Sequence, residues 1–247
     1  MGIEGKPIAV TKCGTCGGGK NDSSLCGLAR SGLESDNLQR THRTYDVGQN
    51  VYLEGDRCDG VYCLKAGLIA IRKTDVNGNS AVVRLVQPGE AFGHRSFLAN
   101  ECHAGTAEIL VKSKLCFIPR ASLENLLAQS PDVAVRFTRR VARDLREIEE
   151  LYLLTTTQPV RKRLAHLLLS LKTRYSNVES ESENEEDEII IELPLSRQEL
   201  AAAIGTRPET IARTIKKLEE DELAFFKGRQ VTIPSIELLQ EDFDSEA

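Results

Sequence analysis

The sequence predicts an α+β chain: a small antiparallel β-barrel of jelly-roll type, then one long helix, then a helix-turn-helix. Three observations carry this. Short β-rich runs recur between turn residues over 45–119, apolar residues then alternate at four and three along the next segment, and two capped helical patterns meet across Gly205. The expected division is a cysteine-containing arm over 1–40, the barrel over 41–130, the long helix over 131–158 and the helix-turn-helix region over 159–247.

Barrel strands are expected at 51–53, 61–64, 68–71, 81–85, 106–111 and 115–118. Between them stand Gly55 and Asp56, Gly67, Asn77 and Gly78, Pro88 and Gly89, and Lys112 and Ser113. These residue types favour tight turns, so each strand is expected to be short.

After Pro131 the residues Ala134, Thr138, Val141, Leu145, Ile148 and Tyr152 follow the spacing of a two-stranded helical seam. The helix is therefore expected to pair with a second copy of itself through Val141, Leu145, Ile148 and Tyr152, making a homodimer. Packing against its own barrel alone is the competing reading; Arg139, Arg140, Arg143, Glu147 and Glu150 leave little apolar surface for it. Thr157 and Pro159 then open a further helix over 160–175, with Leu164, Leu167, Leu168 and Leu171 facing inward.

Ser196 and Glu199 have the spacing of a capping box, and Leu200, Ala201 and Ile204 follow at helical spacing before Gly205 interrupts. Thr206 and Glu209 repeat the box, Pro208 suits a first helical turn, and Ile211, Ile215 and Leu218 recur on one face. Two capped helices across one glycine imply a helix-turn-helix, whose partner is double-stranded DNA. On the second helix Glu209 and Arg213 lie four apart near the end that enters the major groove. Arginine can donate two hydrogen bonds to guanine and a carboxylate can accept from cytosine N4, so the pair could read one G·C step. Each residue also has a plainer reading, Glu209 as a cap residue and Arg213 as a solvated helix charge. Thr206, Arg207, Ala212 and Lys216 complete the expected DNA-facing set.

A formal net charge of -5 runs against binding a polyanion. Its source is local: residues 179–188 read ESESENEEDE, an acidic low-complexity insert expected to be a solvated loop. Arg161, Lys162, Arg163, Arg207, Arg213, Lys216, Lys217, Lys227 and Arg229 give the C-terminal region its basic residues. No apolar run is long enough to span a membrane and no signal-peptide core opens the chain, so the expected location is the cytoplasm. Seven cysteines, an odd number, are poor material for a disulfide framework in that compartment. They suit metal, cluster or redox ligands, or buried packing.

Glu209-Thr-Ile-Ala-Arg213, Lys217-Leu218 and a two-stranded wing over 225–233 together resemble the CRP/FNR family of bacterial transcription regulators. The resemblance runs from the barrel to the wing and is closer to the FNR branch. Pro208 stands where the CRP branch has an additional arginine, and Ala212 where FNR-type helices usually have serine, so a thymine contact there is apolar or absent. The resemblance implies that the barrel is a cyclic-nucleotide-binding-like sensory domain. Family members that bind cyclic nucleotides hold the ribose with Gly-Glu and the phosphate with Arg-Ser or Arg-Thr; an ungapped match puts Gly93-His94 and His103-Ala104 in those places. A buried phosphate without a cation is unsatisfied, so cyclic AMP is not expected; Arg95 could supply the cation only by a register shift.

The cysteine pattern resembles the FNR-like oxygen sensors, which hold one [4Fe-4S] cluster with three cysteines of a flexible N-terminal segment and a fourth in a Cys-x-Ile-Pro strand. By that resemblance Cys13, Cys16, Cys26 and Cys116 are the ligands, and four thiolates are the usual number for such a cluster. The nine residues between Cys16 and Cys26 exceed the family's usual interval. A zinc site from the same thiolates, or Cys116 as core packing, stays open. Of the remaining cysteines, Cys58 and Cys63 read as structural; Cys102 has the further reading of substitute ligand or redox partner. Ile148 stands where the oxygen-sensing branch has an acidic seam residue, which implies a tighter dimer. The expected function is a homodimeric, non-enzymatic transcription regulator that senses oxygen or redox state and binds a palindromic FNR-like site. RNA polymerase is a partner if it activates. The alternative is a cluster-free family member controlled by thiol-disulfide chemistry or a small effector.

Overall fold

The computed structural model describes residues 7–8, 40–78, 80–175, 189–193 and 195–245. They fall in two compact units, Met1–Glu147 and Ile148–Ala247. The acidic insert over 179–188 lies outside the described residues.

In the first unit β1 (Pro7–Ile8), β2 (Thr41–Tyr45), β3 (Asn50–Tyr52), β4 (Gly60–Thr74), β5 (Ser80–Val86), β6 (Ala91–Phe92) and β7 (Thr106–Pro119) form an antiparallel jelly roll. Long strands β4 and β7 pair from Gly60↔Pro119 to Arg72↔Thr106. One half of the β4–β7 ribbon is flanked by β2 and β6, the other by β3 and β5. Each long strand thus serves both faces of the roll.

This corrects the expectation of separate strands at 61–64 and 68–71, and at 106–111 and 115–118. Gly67 and the Lys112-Ser113 pair do not reverse the chain; they form a shared bend, where the β4–β7 register shifts repeatedly between Leu64 and Ile69. Gly67 has φ +103°, and a Cβ there would lie 2.2 Å from Ser113 Oγ and 2.8 Å from the Lys112 carbonyl. Only glycine permits that approach.

Alternation along the strands builds two apolar layers. Tyr62, Leu64 and Leu115 point into the roll, whereas Val61, Cys63, Cys116 and Ile118 point to the opposite face. Helices α1 (His94–Ala99), α2 (Arg120–Gln129) and the start of α3 (Pro131–Thr157) cover that face with Phe97, Leu123, Leu126, Val133 and Phe137. Val133, Phe137, Arg140 and Asp144 form the barrel-facing stripe of α3. Arg140 and Asp144 do not end this stripe in solvent: they meet Arg84, Glu90 and His94 in a largely buried ionic cluster.

The second unit contains α4 (Val160–Tyr175), β8 (Ile189–Glu192), α5 (Arg197–Ala203), α6 (Pro208–Glu220), β9 (Phe225–Lys227), β10 (Gln230–Ile233) and α7 (Ile236–Asp244). Leu164, Leu168 and Leu171 of α4 are buried, as are Ile191, Leu200 and Leu218, and Leu167 is half-buried. The wing is a three-stranded antiparallel sheet in the order β8-β10-β9. The Ser196 capping box is present: Ser196 Oγ accepts from the Glu199 amide at 3.2 Å, and the Glu199 carboxylate accepts from the Ser196 amide at 2.5 Å. Such a cap contributes about 1 kcal/mol.

The second expected box is not formed. The N-cap of α6 is Arg207, extended at φ -94° and ψ 150°, and no side chain caps the helix. Proline disfavours helical backbone in the residue before it, so Pro208 becomes the first helical residue and Thr206 falls one position too early to cap. Among the described residues no helix is long and apolar enough to cross a membrane.

Candidate nucleic-acid interface

Helix α6 separates its side chains cleanly. Ile211, Thr214, Ile215 and Leu218 are buried, while Glu209, Ala212, Arg213, Lys216 and Lys217 are exposed. Offsets of three, four, seven and eight from Glu209 place these five residues along one solvent face. Among the described residues neither Glu209 nor Arg213 has an ion pair, so both retain their hydrogen-bonding groups for a partner. Lys216 makes an exposed pair with Glu220 at 3.4 Å. Arg207 is exposed at the N-cap, and Thr206 is half-buried in the turn, its amide donating to Ala201 at 2.9 Å.

The wing is fastened to α6 through Glu219 and to α5 through Arg197. The Phe226 amide donates to Glu219 Oε1 at 3.0 Å, and the Arg197 guanidinium lies 4.9 Å from the centre of the Phe226 ring. Lys227 and Arg229 stay exposed near the β9–β10 turn.

Three of the basic residues counted toward DNA are engaged within the protein. Arg161 donates to both oxygens of Asp242, at 2.7 to 3.1 Å, and also pairs with Asp221. The Asp242 hydrogen bond, opposed in part by burial and reinforced by Asp221, raises the Arg161 pKa. Lys162 donates to the Ser245 carbonyl, and Arg163 to three backbone carbonyls. A basic residue count could not separate these from Arg213 and Lys216, because each partner is more than four residues away in sequence.

Cys13, Cys16 and Cys26 lie outside the described residues. Cys116 stands on β7 at 1% exposure, in the layer that also holds Cys58 and Cys63. Its register partners are His42 on β2 and Cys63 on β4, and Ile8 on β1 pairs with His42. Ile8, His42, Cys116 and Cys63 therefore form one cross-strand row. Four thiolates are the usual donor set of an iron-sulfur cluster, and Cys116 is the one of the four expected ligands that lies among the described residues. Among the described residues alone, no three His, Cys, Asp or Glu side chains are grouped to hold a metal. Cys58 is buried with its thiol donating to the Gly60 carbonyl at 3.4 Å, burial being the main cause of its raised pKa. Cys102 is exposed and is not part of the core.

The positions matched to a nucleotide's ribose and phosphate have other partners. His94 is buried, with Nε2 2.7 Å from Asp144 Oδ2. The His103 ring is stacked on Tyr52 at 3.5 Å, beside Tyr62 and Phe92. Arg95 points to Glu101 at 3.3 Å and is largely exposed.

On α3, Val141 is half-buried, while Leu145, Ile148 and Tyr152 are exposed by 57, 53 and 71%. Sequence reasoning found this outer stripe and missed Asp144. The available signal was the recurrence of Val133, Phe137, Arg140 and Asp144 at four, three and four, which marks a second face.

A jelly roll followed by a long helix and a winged helix-turn-helix defines a class of DNA-binding regulator. Residues 42–130 match the cyclic nucleotide-binding domain family and residues 162–242 the Crp-like helix-turn-helix domain family. The chain belongs to the CRP/FNR family of transcription regulators. It is 25% identical over 198 residues to the transcriptional activator Anr of Pseudomonas protegens, covering 80% of this chain and 78% of that one. It is 25% identical over 236 residues to the transcriptional activator FnrL of Cereibacter sphaeroides, covering 94% and 92%. Its fold is similar to that of FixK2 from Bradyrhizobium japonicum, with a TM-score of 0.73, 24% identity and coverage of 84% of this chain and 98% of that one.

Proposed function

We propose that the protein is a cytoplasmic, homodimeric transcription factor that binds a palindromic FNR-like site, with Glu209 and Arg213 reading bases and Arg207 and Lys216 meeting phosphates. The observation that carries this is the exposed face of α6, where an acceptor and a two-pronged donor stand one helical turn apart with no partner among the described residues. Ala212 between them offers a methyl group, and Thr206 lies in the turn ahead. Two copies paired through Val141, Leu145, Ile148 and Tyr152 would present two reading heads, which demands inverted half-sites about one helical turn apart. RNA polymerase is the further partner if the protein activates. Selection from a pool of random duplexes tests this reading: enrichment of inverted repeats supports it, and no enrichment rejects it.

Oxygen or redox sensing through a [4Fe-4S] cluster held by Cys13, Cys16, Cys26 and Cys116 completes the proposal. Support comes from the cysteine pattern, the cross-strand row in which β1 stands two strands from Cys116, and similarity to relatives named for fumarate and nitrate reduction, as in Vibrio cholerae, 24% identical over 198 residues. When bound, the cluster supplies a redox-labile centre that oxygen or nitric oxide can attack. The protein's part would be to hold it, Cys116 from a strand in a buried apolar layer and the arm's thiols from a glycine-rich segment. Cyclic AMP is not part of the reading, because His94 faces a carboxylate and His103 is stacked on Tyr52. Air-free purification with iron and sulfide analysis tests the cluster, and Cys116→Ala should abolish it while Cys102→Ala leaves it intact.

One observation favours a second reading. Cys63 and Cys116 are register partners in the same layer, an arrangement suited to thiol-disulfide control without iron. A colourless, iron-free protein from air-free cells, whose operator binding changes on peroxide treatment, would select it.

A further inference from the structure

Arg163 sits where two helix ends converge. Its Nε donates to the Gln158 carbonyl at 3.1 Å, at the C-terminal end of α3, and one terminal nitrogen donates to the carbonyls of Ile204 at 2.9 Å and Gly205 at 3.2 Å. Ile204 is the C-cap of α5, and Gly205 is the turn of the helix-turn-helix. The last carbonyls of a helix have no partner within it and carry its negative pole, so one guanidinium meets the unsatisfied ends of two helices at once. The turn is also pressed against α3: a Cβ on Gly205, whose φ is +66°, would lie 3.2 Å from Thr155 Cγ2 and 3.7 Å from the Arg163 guanidinium. Thr155, Thr156 and Thr157 each donate a hydroxyl back to a carbonyl one turn earlier, which ties the last turn of α3 to itself.

We infer that Arg163 is a positioning residue, which ties the end of α3 that carries Ile148 and Tyr152 to the turn that sets where α6 begins. It touches no DNA; it acts through Glu209 and Arg213, so the inference rests on their proposed base-reading role. A lysine keeps the charge but not the fork, because a point ammonium cannot hold carbonyls of two separate helices in a fixed plane.

The test uses the full-length protein, the duplex that wild type enriches from a random pool, and the unselected pool itself. Arg163→Ala should cut the preference for the selected duplex about tenfold, with binding to the unselected pool within twofold and the far-UV spectrum unchanged. Arg163→Lys should recover only part of that preference. In an Arg213→Ala background the Arg163→Ala change should cost little more, since the reading it supports is already lost. Equal losses on both duplexes, full recovery by lysine, or effects that simply multiply with Arg213→Ala would each overturn the positioning role. If Arg163→Ala does not fold, the lysine variant alone decides, by partial loss or none. If wild type enriches no sequence, it is the base-reading proposal that fails first.

Discussion

His94 Nε2 lies 2.7 Å from Asp144 Oδ2, joining the short helix α1 beside the roll to the long helix α3. Arg84 approaches the same oxygen at 3.1 Å and Arg140 the other carboxylate oxygen at 2.7 Å. Burial by itself would push the Asp144 carboxyl up. The His94 hydrogen bond and the two guanidiniums outweigh it and hold the carboxyl below its usual range.

That direction fixes a pH dependence. A folded-state pKa below the unfolded value means that the Asp144 contribution is present above the ordinary carboxylate pKa of about 4 and is lost as pH falls through the folded value. Urea unfolding of wild type at descending pH should show this loss, and Asp144→Asn should flatten it. Asp144→Ala leaves His94 without its carboxylate and Arg84 and Arg140 with Glu90 alone, and should cost about 3 kcal/mol at neutral pH. An Asp144→Asn protein with the wild-type acid profile would contradict the assignment.

Gly67→Ala should destabilise the roll by at least about 3 kcal/mol, since it combines a left-handed backbone angle with a clash against the facing strand. Thermal unfolding measures it. A shift within about 0.5 kcal/mol would mean that the β4–β7 bend has room to relax.

The same bend shows where sequence reading stops. Gly67 and Lys112-Ser113 carry turn chemistry, and nothing local says whether the chain reverses there or bends jointly with a strand 40 or more residues away. The alternating runs themselves were legible because a period of two reports a buried face directly. The face of α6 was legible for the same reason, its apolar period leaving Glu209, Ala212 and Arg213 outside. Arg161 and Arg163 were not, because a guanidinium bound to Asp242 or to the Ile204 carbonyl looks in sequence like any solvated charge. Asp144 reads as one more polar helix residue until His94 and Arg84 arrive from the roll.

Ile148→Asp should weaken self-association roughly a hundredfold or more, because a twofold seam repeats each substitution and an apolar contact becomes two facing carboxylates. Sedimentation across micromolar concentrations reads the monomer fraction. Unchanged association would remove Ile148 from the seam and leave the exposed stripe of α3 to another role.

Arg213 is the residue through which α6 is proposed to read bases. Binding of Arg213→Ala to the duplex selected by wild type, against a version substituted at a single G·C step and against random sequence, tests it directly. The expected loss is about 1 to 3 kcal/mol confined to the selected duplex, with the preference at that one step abolished. An equal loss on all three duplexes would reduce Arg213 to a phosphate contact and contradict it.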